Sequence, residues 1–283
     1  MSDIRLLQGM SGCSVFKIKD KEGHYFVRKV SSCRDYNQRM ERQCEKQRIL
    51  HDQGYPTPEV LKFGWLEKGL FYFDMPFIEG VNLAEFIATS TTDEIELTVC
   101  KGLLESFILK EKKSTLPTSV NINEIFQRKA SSLKNKIPQT TVTMSALTRI
   151  LMMDYSRLRR TICHGDLSAE NVIVGCDGKL YFIDLLDSFA DSWLMDLSKI
   201  IMDLQIKWSW RNSRTFCSEK VSECLYSVNS RINHVLSSED RYYCQNLVLL
   251  HMLRILPYVK IGSLEYNLIT KGLEKNLEEK DLL

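Results

Sequence analysis

The chain has 283 residues and a mass near 33 kDa, enough for one large domain or two modest ones and too long for a small stapled module. Apolar residues make up 44% and charged residues 26%; the net charge of +2 leaves no basic excess for a nucleic-acid surface and no acidic excess for a disordered chain. Nine cysteines, an odd number with no C-x-x-C pair, fit neither a secreted disulfide framework nor a zinc site and read as reduced thiols of a cytoplasmic protein.

In chain order, the start MSDIRLLQG lacks the basic and apolar regions of a signal peptide. Residues 14–19 (SVFKIK) and 25–30 (YFVRKV) predict a hairpin across the polar DKEGH segment. A helix follows over 36–53, with Met40, Cys44, Ile49 and Leu50 on helical spacing and Gly54 as its stop. Residues 57–80 predict two more strands, with Pro76 at a strand end.

Beyond Asn82 the pattern is helical. Thr91-Thr92-Asp93-Glu94 forms a capping-box start, followed by an apolar face of Leu97, Leu104, Phe107 and Ile108. Phe126, Ala130, Leu133 and Ile137 line a helix ended by Pro138, and 145–159 carries another. Helices return after residue 205. The most apolar stretch, 247–259, is cut by His251 and Arg254 and is too short to span a bilayer. The class is therefore α+β, with a small β-rich N-lobe at 1–79 and a larger, mainly helical C-lobe at 80–283.

Chemistry concentrates in 162–196. Two β runs, VIV and LYFI, flank Asp177-Gly178, a strong hairpin signal. A two-residue turn there makes partner numbers sum to 355, which sets Asn171 opposite Asp184 with Cβ atoms about 5 Å apart. A carboxylate and a carboxamide oxygen at that spacing can share a hard cation such as Mg²⁺. Asp166 lies five residues before Asn171 in a His-Gly-Asp turn, within reach of the same pocket. The bland alternative is a set of turn and strand-end polar groups with local hydrogen bonds.

His164-Gly165-Asp166-Leu167-Ser168-Ala169-Glu170-Asn171 resembles the H-x-D-x-x-x-x-N catalytic loop of protein-kinase-like phosphotransferases, in the His-Gly-Asp form of the aminoglycoside phosphotransferase and choline kinase superfamily. The resemblance implies a bilobal protein-kinase-like fold. It implies Asp166 as the base toward a substrate hydroxyl, and Asn171 and Asp184 as ligands of Mg²⁺ on the phosphates of ATP. His164 would brace the loop, and Asp196 of Met195-Asp196-Leu197 would be structural.

Charge neutralisation along a triphosphate calls for a small-lobe lysine, and Lys29 of Val27-Arg28-Lys29 matches the family's V-x-K pattern, with Val27 lining the adenine pocket. Glu45 is the chosen helix partner of Lys29, with Glu41 one turn earlier as runner-up. Gly9 to Ser14 holds only G-x-x-G; Gly12 and Ser14 are its candidate phosphate contacts. The stretch from Phe73 to Gly80 resembles the family's hinge, where the Pro76 carbonyl and the Ile78 amide would pair with adenine. Asp184-Leu185-Leu186 lacks the glycine of D-F-G, so no switching activation segment is indicated. Asp187 is either a further group near the metal or a solvated charge.

The acceptor pocket is weakly legible. Residues 205–283 carry no acidic excess suited to a polycation. Trp193, Trp208 and Trp210 could cage a quaternary amine, stack on a sugar, or simply pack between helices. Arg254 either pairs inside the fold or meets an anionic substrate. The expected function is ATP- and Mg²⁺-dependent transfer of a phosphoryl group to a hydroxyl of a small molecule, such as a sugar or amino-sugar derivative. The alternatives are a catalytically silent nucleotide-binding regulator and a protein kinase.

Overall fold

Alternation along the third strand organises the N-terminal sheet. Val27 and Lys29 are buried on one face, while Arg28 on the other sits across from Asp74 and grips its carboxylate with two bonds of 2.7 and 2.8 Å. The computed structural model describes residues 4–7, 13–117, 120–213 and 217–278. Strands β1 (Ile4–Leu7), β2 (Cys13–Lys19), β3 (Tyr25–Ser31), β4 (Lys62–Trp65) and β5 (Phe71–Pro76) form an antiparallel sheet in the order β1-β2-β3-β5-β4. Helix α1 (Arg34–Asp52) lays Met40 and Cys44 against Val27, Phe71, Phe73 and Met75. Burying each of the larger side chains is worth about 1.5–3 kcal/mol. The helix stops at Gly54, whose φ of +72° suits glycine and whose N–H donates to the His51 carbonyl.

A second sheet, in the order β6-β7-β8, joins β6 (Gly80–Asn82), β7 (Val172–Gly175) and β8 (Leu180–Phe182). Its hairpin corrects the expected register: Val172 faces Phe182, so partner numbers sum to 354 rather than 355. The connection is a three-residue loop, closed by Gly175 N–H to the Lys179 carbonyl (2.8 Å) and Gly178 N–H to the Gly175 carbonyl (2.9 Å). A two-residue type I′ turn needs positive φ at both central residues, and here only Gly178 (+75°) has it. Asp177 stays out of that region, its carboxylate accepting from Lys179 N–H and the Tyr181 hydroxyl. Asn171 and Asp184 therefore are not ladder partners.

Two units result, one of residues 1–81 with 172–187, the other of 82–171 with 188–283. They differ from a single cut after residue 79, because the hairpin returns to the first unit. There the Phe182 N–H donates to the Pro56 carbonyl (2.8 Å) and the Cys176 N–H to the Glu79 carbonyl (2.9 Å).

The second unit is mainly helical: α2 (Leu83–Thr89), α3 (Thr92–Glu96), a wide-turned π segment (Leu97–Ile108), α4 (Leu109–Lys113), α5 (Ile122–Ser131), α6 (Thr141–Leu151), α7 (Trp193–Ile206), α8 (Ser218–Ile232), α9 (Ser238–Ile255) and α10 (Leu264–Glu278). The Thr91–Glu94 capping box forms as the sequence predicts. In α7 every residue but Lys199 and Gln205 is buried. His251 of α9 joins it through Nε2, 3.0 Å from the Met195 carbonyl and 3.1 Å from Ser198 Oγ. All nine cysteines are free thiols. Among the described residues no helix is long and apolar enough to cross a membrane.

Candidate active site

The loop from His164 to Asn171 is held by one face of α7. Asp196, Lys199 and Asp203 are spaced i, i+3, i+7, which places them on one stripe. Asp196, fully buried, accepts from Gly165 N–H at 2.9 Å and from His164 N–H. Asp203 Oδ2 accepts from Ala169 N–H at 2.7 Å, and its carboxylate also takes the Ser209 N–H and hydroxyl. Burial pushes the Asp203 carboxyl above its usual range, against these hydrogen bonds. Between the two carboxylates, Lys199 Nζ lies 2.9 Å from Asp166 Oδ1.

Asp166 carries the only side chain of the His164–Asp166 turn that reaches solvent appreciably: its side chain is 37% exposed, while His164 is buried. Burial alone would raise the Asp166 carboxyl; Lys199, with His164 and Arg254, outweighs it and holds the group below the usual carboxylate range. His164 braces the turn, its Nδ1 accepting from Asp166 N–H at 3.3 Å and its ring meeting Phe107 edge-on. Asn171 ends a 3-10 turn (Ala169–Asn171) and donates from Nδ2 to the Asp166 carbonyl at 2.9 Å. That bond fixes the carboxamide and leaves Oδ1 on its other side. Glu170 pairs with the buried Arg211, which also packs over Trp208.

In the first unit Lys29, 4% exposed, places Nζ 2.6 Å from Asp184 Oδ1. Burial alone would depress the lysine; the carboxylate reverses this and raises it above its ordinary value. Asp184 has φ +61°, a left-handed backbone that costs a non-glycine residue about 1–3 kcal/mol and persists only where neighbours enforce it. The segment that follows Asp184 is held from α1: Lys46 donates to the Leu186 carbonyl (2.8 Å) and Arg42 to the Asp187 carboxylate (2.6 Å). Asp187 is thus tied to the helix.

The expected Lys29–Glu45 pair does not form. The buried face of α1 runs through Asn37, Met40, Cys44 and Gln47, which turns Glu45 to solvent, where it bonds Arg48 at 2.8 Å. Glu41 is exposed too, as is Ile49 at 42%, while Leu50 is buried.

Val27 is buried in the sheet's apolar cluster beside Met75. Pro76 closes β5, and the N–H of half-buried Ile78 has no hydrogen-bond partner among the described residues. Ser14 lies half-buried in β2 opposite Val30. Gly12 and its neighbours 9–11 lie outside the described residues. No tryptophan cage forms from Trp193 and Trp210: both are buried, Trp193 beneath the Lys112 ammonium and Trp210 bonded to the Ala84 carbonyl. Arg254 lies over the Phe189 ring at 4.9 Å.

Sequence reasoning missed Lys199, Arg42 and Lys46. Lys199 carried one signal, its place three residues after Asp196 and four before Asp203 in a mostly apolar helix.

No family model matches the chain, and no curated protein matches it in sequence. Solved structures do match in fold. A thermostable mutant of aminoglycoside phosphotransferase APH(4)-Ia, in ternary complex with AMP-PNP and hygromycin B, is 16% identical with a TM-score of 0.70, over 98% of this chain and 93% of that one. Amicoumacin kinase hAmiN, in complex with AMP-PNP, Ca²⁺ and Ami, is 11% identical with a TM-score of 0.64, over 97% and 88%. A putative fructosamine-3-kinase from Thermobifida fusca is 13% identical with a TM-score of 0.58, over 98% and 94%. The chain has the protein-kinase-like fold in the form these phosphotransferases share.

Proposed function

We propose that this chain transfers the γ-phosphoryl group of ATP, with Mg²⁺, to a hydroxyl of a small molecule of the sugar or amino-sugar kind. The observation that carries the reading is the Asp166 carboxylate, held ionised by Lys199 on a loop fixed at both ends by buried α7 carboxylates. The nucleotide complexes of fold neighbours support it. The acceptor oxygen attacks the γ-phosphorus while the bond from that phosphorus to the β,γ-bridging oxygen breaks. ADP leaves with the bonding pair, and the hydroxyl proton passes to Asp166. Because this transition state is loose, orientation and charge matter more than base strength, so a carboxyl of low pKa suffices.

Lys29 would meet the phosphates, Val27 would line the adenine pocket, and the Pro76 carbonyl and Ile78 amide would pair with the base. Gly12 and Ser14 would approach the phosphates from the N-terminal hairpin. Asn171 and Asp184 would each offer an oxygen to a hard cation: Asn171 commits its Nδ2 to the Asp166 carbonyl and keeps its oxygen, and Asp184 commits only Oδ1 to Lys29. The cation, when bound, supplies charge neutralisation on the nucleotide. Free thiols, with Cys33 and Cys176 exposed, suit a reducing compartment such as the cytoplasm.

The test is a screen of small hydroxyl acceptors with ATP consumption as readout and Asp166→Ala as control. Consumption that requires acceptor and vanishes in the variant is expected; equal turnover in the variant would remove Asp166 from its role. One observation favours the silent-regulator reading: α1 presents neither Glu41 nor Glu45 to Lys29. Nucleotide binding without turnover on any acceptor would decide for it.

A further inference from the structure

We infer that Lys199 is a positioning residue for phosphoryl transfer, fixing the Asp166 carboxylate by occupying Oδ1 so that Oδ2 alone receives the acceptor hydroxyl. The inference rests on the phosphotransferase reading and adds a residue to it.

The geometry supports it in three steps. A carboxylate turns about a broad, nearly two-fold torsion, so an isolated Asp166 would present either oxygen over a range of angles. Asp196 and Asp203 fix only the backbone of the loop, at Gly165 and Ala169. Nothing in those bonds orients the side chain between them; the Lys199 ammonium, 2.9 Å from Oδ1, does. Among the described residues Oδ2 makes no hydrogen bond.

Burial argues in the same direction. The Lys199 side chain is 12% exposed, flanked along its helix stripe by Asp196 and Asp203. The ammonium gives up most of its water there while Asp166 keeps its contact with solvent, so the attraction between them is offset by the cost of desolvating Lys199. The pair therefore has no evident use in stability, whereas holding a reacting group within a fraction of an ångström is worth orders of magnitude in rate. The hydroxyl proton goes to Oδ2, and the Lys199 ammonium stays paired with Oδ1.

The experiment compares wild type, Lys199→Met, Lys199→Arg and Asp166→Asn in acceptor-dependent ATP consumption, with thermal melting of each. Lys199→Met should lose about 100-fold in kcat with the nucleotide KM unchanged, and Lys199→Arg, which keeps the charge, should recover part of it. Lys199→Ala should regain turnover on addition of ethylammonium. Because Lys199 acts through Asp166, Lys199→Met combined with Asp166→Asn should be no slower than Asp166→Asn alone. Full kcat in Lys199→Met overturns this inference and leaves the phosphotransferase reading intact. An equal loss in the Met and Arg variants that tracks lowered melting temperature, with no amine rescue, also overturns it. Absence of acceptor-dependent turnover in the wild-type protein overturns that reading and this inference together.

Discussion

The Lys29 ammonium and the Asp184 carboxylate, 155 residues apart in the chain, meet at 2.6 Å within one compact unit. The two partners are not equivalent: the lysine is almost wholly buried, whereas the aspartate side chain is 31% exposed. Removing the aspartate strands a charge away from water. Removing the lysine leaves a carboxylate that solvent can reach. Asp184→Ala should therefore cost about 3 kcal/mol of stability, the lower end for breaking a buried pair, and Lys29→Met clearly less. Both should weaken metal-dependent nucleotide binding. Urea denaturation and titration calorimetry read the two effects separately; equal destabilisation by the two variants would show that the burial difference is inconsequential.

Arg42 and Lys46, one turn apart on α1, bond the segment that follows Asp184, while Glu45 faces solvent beside Arg48. Glu45→Ala should change stability by no more than about 0.5 kcal/mol and leave nucleotide affinity as it was. Arg42→Ala combined with Lys46→Ala should lower that affinity, because the segment that follows Asp184 loses two of its restraints. A reversed ranking, with Glu45→Ala the more damaging, would restore the helix glutamate to the role first expected of it.

Why the helix glutamate misled while the loop around Asp166 was legible is a matter of which signals are local. The loop around Asp166, the Val27–Lys29 alternation and the Thr91 capping box depend on spacing within a few residues, and each is legible in the sequence. The rotation of α1 depends on what covers it. Its buried face includes Asn37, Gln43 and Gln47, polar residues that resemble surface positions until their partners are known: the Gly69 carbonyl, the Tyr36 hydroxyl and the Pro58 carbonyl. The hairpin register failed for a similar reason. Asp-Gly marks the turn, but whether the loop holds two residues or three depends on φ at Asp177, which Lys179 and Tyr181 help to set. The edge strand β1 was invisible because its side chains are mostly exposed and carry no core pattern.

Gly80 opens β6, the strand next to β7 of the returning hairpin. A Cβ added there would lie 2.1 Å from the Val174 carbonyl oxygen, a backbone atom with no freedom to yield. Gly80→Ala must push β6 away from β7 and should destabilise the protein by about 1–3 kcal/mol, as overpacking does. The hairpin carries Asp184 at its end, so nucleotide affinity should fall with stability. Thermal melting of the variant within a degree of wild type would mean that the strands part at no cost.

His251 sets a pH limit on the fold. It is buried between α9 and α7, and burial, reinforced by the positive charges of Arg254 and Lys199, pulls its pKa well below the ordinary histidine value. The native state therefore keeps the ring neutral while the unfolded chain binds a proton below about pH 6.5. Where the unfolded state binds more protons, stability rises with pH. The contribution of His251 is thus complete above about pH 6.5 and declines as pH falls toward the folded-state value, at up to about 1.4 kcal/mol per pH unit. The Asp166 carboxyl, held below the usual range, titrates too low to interfere between pH 5 and 7. In His251→Gln the side-chain amide can still donate to the Met195 carbonyl but cannot titrate. Its stability should be lower than wild type at pH 8 and flatter with pH, so the two curves converge toward pH 5. Parallel curves in urea denaturation across that range would show that some other group governs acid sensitivity.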